Sequence, residues 1–220
     1  MNCRCIPTTF QGTHTFVTAM ATKEDILEQL VEEYLLHDGY FVRHNIKYLP
    51  RRDHPDFISN QDSNHSDIDV IGFHPTRTGV DRVKVVSCKS WQGGFDAAAE
   101  IGGIEQHRTV RGREAWRGFR ELVVPKWSEA FLAAVCSATG QREFTYITAV
   151  AKLVGGKAEW EGNRGFLQAL DGNPIRILDL REMLDFIAPA LGTTLAGTEV
   201  GRMLQLFKAA GIGLRSRGAP

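Results

Sequence analysis

Two short stretches put charge where apolar strand residues belong. In SDIDVIGF, Ser66 to Phe73, aspartates stand at 67 and 69, and in VKVVSCKS, Val83 to Ser90, a lysine at 89 follows Ser87 and Cys88. Strand side chains alternate between faces. Asp67 and Asp69 are therefore expected on one face with Ile68 and Val70 on the other, while Val83, Val85, Ser87 and Lys89 form one row that ends in an ammonium. A charge near a buried strand end is costly unless it is paired or metal-bound. Asp69 and Lys89 on adjacent strands either offset each other as a structural ion pair or belong to a site.

Cationic side chains gather further along the chain. Between Gln106 and Lys126 lie Arg108, Arg111, Arg113, Arg117, Arg120 and Lys126 against two glutamates, with Trp116 and Phe119 interleaved. Such a local excess can bind phosphates, and Trp116 can stack on a base; a solvated face with buried aromatics explains the same pattern. Arg43, His44, Lys47, Arg51 and Arg52 form a second basic stretch. Other chemistries find no foothold. The histidines lack metal-ligand spacing, and Cys3, Cys5, Cys88 and Cys136 do not form two ligand pairs and read as reduced thiols. No phosphate loop or dinucleotide fingerprint is present, and no Ser-His-Asp arrangement stands out.

The elements that must position these residues belong to an ordinary globular composition, 43% hydrophobic and 24% charged over 220 residues. Residues 22–220 are expected to form one domain behind an N-terminal tail of residues 1–21. Acidic and basic residues balance at 26 each, so any case for a polyanionic partner must be local. No apolar run reaches the roughly 20 residues of a membrane span, and the opening lacks a signal-peptide core, so a cytoplasmic protein is expected. A helix is predicted from Thr22 as N-cap to Gly39, then a strand over YFVRHNIKYL and a polar loop over PRRDHPDFISNQDSNHS. Strands at Ile68 to Phe73 and Val83 to Cys88 are expected to pair as an antiparallel hairpin, followed by a helix from Asp96. Then come a helix KWSEAFLAAVCSAT capped by Ser128, strands in EFTYITAVAKLV and PIRILDL, and helices in REMLDFIAPAL and TEVGRMLQLFKAAG. That order indicates an α/β fold with a mixed sheet flanked by helices.

SDIDVIGF, a hairpin connection and VVSCKS together resemble the core of the PD-(D/E)xK nuclease superfamily, nearest to Holliday-junction resolvases and Mrr-like nucleases. Asp69, Cys88, Lys89 and Ser90 match its pattern position by position. The helix LEQLVEEYLLHDGYFV supplies Glu28 as counterpart of the family's inward glutamate, ahead of Glu32 and Glu33, and Gln106 corresponds to a glutamine on the helix after the lysine strand. The resemblance covers residues 24–108. It implies a restriction-endonuclease-like sheet and a Mg2+- or Mn2+-dependent DNA endonuclease, with Asp69 and the Cys88 carbonyl as metal ligands, Lys89 orienting water, and Glu28 assisting. It further implies DNA contacts from Gln106, Arg108, Arg111, Arg113 and Arg117, and a homodimer that cuts both strands.

Ser87 departs from that pattern, since most members carry Glu or Asp there and a hydroxyl cannot replace a carboxylate's charge. Some type II restriction enzymes with Ser-x-Lys recruit a glutamate from the following helix. Glu100 and Glu105 are the candidates; at about 100° per residue they lie roughly 140° apart, so only one is expected to face the site. Glu100 is preferred and Glu105 stays open. A silent member of the fold that binds nucleic acid or protein is the rival reading, and an unrelated α/β protein with a structural Asp69–Lys89 pair is the third.

Overall fold

The computed structural model describes residues 25–110 and 112–213. The expected tail, the cap at Thr22 and Arg111 lie outside the described residues. Strands β1 (Phe41–Tyr48), β2 (Ser66–Phe73), β3 (Val83–Lys89), β4 (Thr145–Val150) and β5 (Ile175–Asp179) form one sheet in that order. The first three are antiparallel neighbours, and β4 and β5 run parallel to β3. The expected α/β class with a mixed, helix-flanked sheet is what the chain adopts. β4 is buried at every position, as a central parallel strand covered on both faces must be.

Helices α1 (Ile26–His37), α2 (Ala97–Glu105), α3 (Pro125–Thr139), α4 (Leu180–Ala190) and α5 (Glu199–Ala209) are joined by shorter helical turns. Two cores sandwich the sheet. On one face Val83, Val85 and Tyr146 pack with Trp127, Phe131 and Val135 of α3 and an aromatic group of Phe95, Phe119 and Trp160. On the other, Val70, Val86 and Ala149 meet Leu27, Val31 and Leu35 of α1, Met183 and Ile187 of α4, and Val200 and Leu204 of α5.

Three local expectations are corrected. α1 starts at Ile26, with Asp25 accepting from the Leu27 N–H at 2.8 Å as its cap. Ser128 lies inside α3 and donates to the Val124 carbonyl; the helix begins at Pro125, whose fixed φ and missing N–H suit the first helical position. The third concerns β2: Ile68 and Ile71 enter the α3-side core and Val70 the opposite one, so Ile68 and Val70 do not share a face. The β1–β2 register runs on either side of the pair Asn45 and Asp69 but skips that pair. Asn45 has φ +54°, left-handed backbone that asparagine tolerates better than most residues, and this turns the ladder locally.

The long polar loop after β1 is tied down at its far end. Asp62, buried, accepts from Lys126 Nζ at 2.6 Å, Trp127 Nε1 at 3.2 Å and the Ile58 N–H at 2.8 Å, and Lys126 also donates to the Asp56 carbonyl. Burial works against this carboxylate, but the hydrogen bonds, that from Lys126 foremost, outweigh it and hold its pKa below the ordinary value. Lys126→Met leaves the charge buried without its cation and is expected to destabilise the fold by roughly 3 kcal/mol in urea denaturation at neutral pH. A carboxyl with a depressed folded pKa stabilises above its unfolded value of about 3.9 and loses that contribution as pH falls through the folded value. The gap between wild type and variant should therefore narrow in acid.

Candidate functional site

The β2–β3 ladder ends at the pair Val70 and Val86, and beyond it the Asp69 side chain takes over from the backbone. Its Oδ2 accepts from the Cys88 N–H at 2.6 Å. Burial raises the Asp69 pKa above the usual carboxylate value, with Glu121 and Asp67 adding to the rise; the positive charge of Lys89 and the Cys88 N–H pull the other way without cancelling it. Within a strand the N–H and C=O of one residue point to the same neighbour, so the Cys88 carbonyl opens on the side of Asp69. The Cys88 thiol is pushed well up by burial, then by the charges of Asp69 and Glu28, and stays protonated. What Cys88 offers the site is its backbone.

Lys89 is held from its own strand. Its Nζ donates to Ser87 Oγ at 2.9 Å and lies 5.1 Å from the centre of the Phe119 ring. The Asp69–Lys89 interaction is thus through space, and the hydroxyl at 87 receives the ammonium directly. Nearby in the same core sits Glu121, 5% exposed, whose two oxygens accept from Tyr146 OH at 2.6 Å and Tyr48 OH at 3.4 Å. Burial raises both tyrosines, with the Glu121 charge next in effect, so both stay protonated as donors. The carboxylate of this buried triad adds negative potential at Asp69.

The start of α1 is clamped to the end of β3. Asp25 caps the helix with one carboxylate oxygen and accepts from Ser90 Oγ at 2.7 Å with the other. Ser90 is the residue after Lys89, so the helix enters at the site and Glu28 falls in its first turn, close enough for its charge to act on Cys88. The two other glutamates of α1 have different work. Glu33, 2% exposed, accepts from Thr198 N–H and Oγ1 and ties α1 to the start of α5, and Glu32 lies 3.2 Å from His44.

A cleft of about 880 Å³ opens over Cys88 and Lys89. Glu100 lines it and is buried, whereas Glu105 is exposed and lines a separate cavity against α3. Arg113, Arg117 and Arg120 line the cleft as well. Gln106 and Arg108 are exposed and bonded to each other, and neither lines it. Of the second basic stretch, Arg43 and Lys47 are exposed along β1, and Arg51 pairs with Asp53. Trp116 packs against the core with Arg117 over its ring; Trp91 is the indole at the cleft. Glu121, Asp25 and Trp91 escape sequence reasoning. Glu121 sits in a stretch without clear periodicity, and Trp91 stands in a Gly-rich turn that reads only as a break.

The donors around Cys88 are hard oxygens, which suit a divalent cation such as Mg2+. Among the described residues no group of three or more His, Cys, Asp and Glu is placed as a metal cage. Magnesium is commonly bound by one or two carboxylates with waters and substrate phosphates rather than by an all-protein cage, so Asp69, the Cys88 carbonyl and Glu100 fit it chemically. Comparisons with family models, curated proteins and solved structures find no match. The functional reading accordingly rests on this geometry and on the sequence resemblance. Tyr146→Phe removes a charge-assisted hydrogen bond from buried Glu121 and is expected to destabilise the protein by about 2 kcal/mol in chemical denaturation.

Proposed function

We propose that the chain is a metal-dependent DNA endonuclease of the PD-(D/E)xK type with a restriction-endonuclease-like sheet, hydrolysing phosphodiester bonds in the cleft over Lys89. The observation that carries this reading is that Cys88, Lys89 and Glu100 line one cleft, while Asp69 accepts the Cys88 N–H. Mg2+ or Mn2+ held by Asp69, the Cys88 carbonyl and Glu100 would supply an acidified water and neutralise phosphate charge. Lys89, aimed by Ser87, orients the attacking water and stabilises the negative charge that develops on the phosphate oxygens. Glu28 holds water at the α1 end of the site, while Arg113 and Arg117 take flanking phosphates. Glu100 restores the carboxylate that Ser87 lacks, and Ser87 serves as positioning partner of the lysine.

The second reading, a silent member of the fold that binds nucleic acid, is favoured by Ser87, a neutral hydroxyl bonded to Lys89 at the position where the family carries a metal-ligating carboxylate. On a duplex substrate, two copies of the chain would cut one strand each. Among the described residues no helix is long and apolar enough to cross a membrane.

Asp69→Asn, which keeps an acceptor for Cys88, and Lys89→Met should each lower Mg2+-dependent cleavage at least about a hundredfold with unchanged circular dichroism. Glu100→Gln should follow them and Glu105→Gln should cleave like wild type. EDTA should abolish turnover. Cleavage that persists in both Asp69→Asn and Lys89→Met overturns the nuclease reading; DNA affinity that falls on Arg113→Glu and Arg117→Glu, with no cleavage under any metal, establishes the silent one.

A further inference from the structure

Away from the cleft, another cavity of about 560 Å³ opens where α2, α3, the turn Arg120–Val123 and the short helix Arg164–Ala169 meet. It shares α2 with the cleft but no lining residue: Glu100 lines the cleft, whereas Ile101, Ile104 and Glu105 line the cavity. Its volume lies within the roughly 300–1,000 Å³ of sites that enclose a small ligand. Ile104, Leu122 and Phe166 are buried members of the core on this side of the sheet. Ile101, Val123 and Leu132 line the cavity too, yet remain half-buried, which leaves apolar surface against water. Covering such surface favours any ligand with an apolar body.

Charge narrows the choice of ligand. Three carboxylates, Glu105, Glu129 and Asp171, stand exposed on the lining, and among the described residues no Lys, Arg or His lines it. Glu129 lies 3.7 Å from His54, while Glu105 and Asp171 have no ion-pair partner among the described residues. Two of the neutral polar groups are engaged in the fold: Ser128 Oγ donates to the Val124 carbonyl, and Asn163 Oδ1 accepts the Phe166 N–H. One sign of charge beside low-dielectric walls concentrates its field in the space between them. An anionic ligand is repelled there, and a neutral one gains no Coulomb attraction. A cation with an apolar body suits both parts of the lining, its stem against Ile101 and Leu132 and its charged head in water beside the carboxylates, as long basic side chains do on protein surfaces.

We infer that this cavity binds a small amphiphilic cation, a protonated amine carried on an apolar body. The inference goes beyond the nuclease reading and holds whether or not the chain cleaves DNA. Its two components are separable, because the apolar lining sets how tightly any such body is held and the carboxylates set the preference for positive charge.

Titrations followed by methyl NMR at neutral pH and fixed ionic strength test this with three probes of equal chain length: octylammonium, 1-octanol and octanoate. Octylammonium is expected to shift the Ile101, Ile104 and Leu132 methyl signals and to bind at least about tenfold more tightly than octanoate, with octanol between them. In the double variant Glu105→Gln with Asp171→Asn, octylammonium should lose most of its advantage over octanol, while octanol binds as before. Each single substitution should give part of that loss. Both positions are exposed, and Asp171 has φ +53°, a backbone that asparagine tolerates, so the variants should keep the wild-type circular dichroism. Octanoate binding as tightly as octylammonium, an advantage unchanged in the double variant, or no octylammonium shift at the three methyl-bearing residues overturns the inference. Octylammonium bound here by a protein that never cleaves DNA leaves it standing and sinks the nuclease reading; a nuclease whose cavity ignores octylammonium does the reverse.

Discussion

A single carboxylate standing in for backbone organises the end of the β2–β3 ladder. Where β2 and β3 part, Asp69 accepts the Cys88 N–H at 2.6 Å. An N–H buried at a strand end needs a partner, and this one is satisfied by a side chain that keeps its second oxygen for other uses. The same contact fixes the direction of the Cys88 carbonyl. Loss of the carboxylate would remove a candidate ligand and a structural acceptor together, so Asp69→Asn is a cleaner probe than truncation.

The surrounding elements behave as braces for that corner. Asp25 and Ser90 join the start of α1 to the end of β3, Ser87 and Phe119 steady Lys89, and Tyr48, Glu121 and Tyr146 form the layer beneath. Each brace comes from a different part of the chain. Rigid support of this kind is what a site needs if its charged groups are to stay in place without a ligand to hold them. The negative charge of Glu121 and the positive charge of Lys89 compete at the Asp69 carboxyl.

The layout was legible from the chain where periodicity was strong. The alternation in VKVVSCKS correctly placed Val83 and Val85 together and Val86 opposite, because β3 pairs regularly on both sides. The same reasoning failed one strand away, at Ile68 and Val70, because Asn45 in a neighbouring strand turns the ladder, and a pattern within β2 carries no trace of its partner's φ. The separation of Glu100 from Glu105 could be anticipated from helical geometry, whereas the direction in which α2 leaves the sheet could not. Glu121 and Trp91 are meaningful only through their neighbours: one is a buried carboxylate met by two distant tyrosines, the other an indole stacked on nearby Phe95 and edge-on to the distant Phe119.

The left-handed residue in β1 also matters at the outside of the sheet. β1 is an edge strand, with free hydrogen-bonding groups along one side, and its exposed positions are Phe41, Arg43, Asn45 and Lys47. A straight edge carrying Phe41 at 69% exposure would invite another chain to add a strand. The kink at Asn45 interrupts the regular spacing of donors and acceptors midway, and Arg43 and Lys47 flank it with charge. The distortion that sets Asp69 apart inside the sheet thereby guards its outer rim against aggregation.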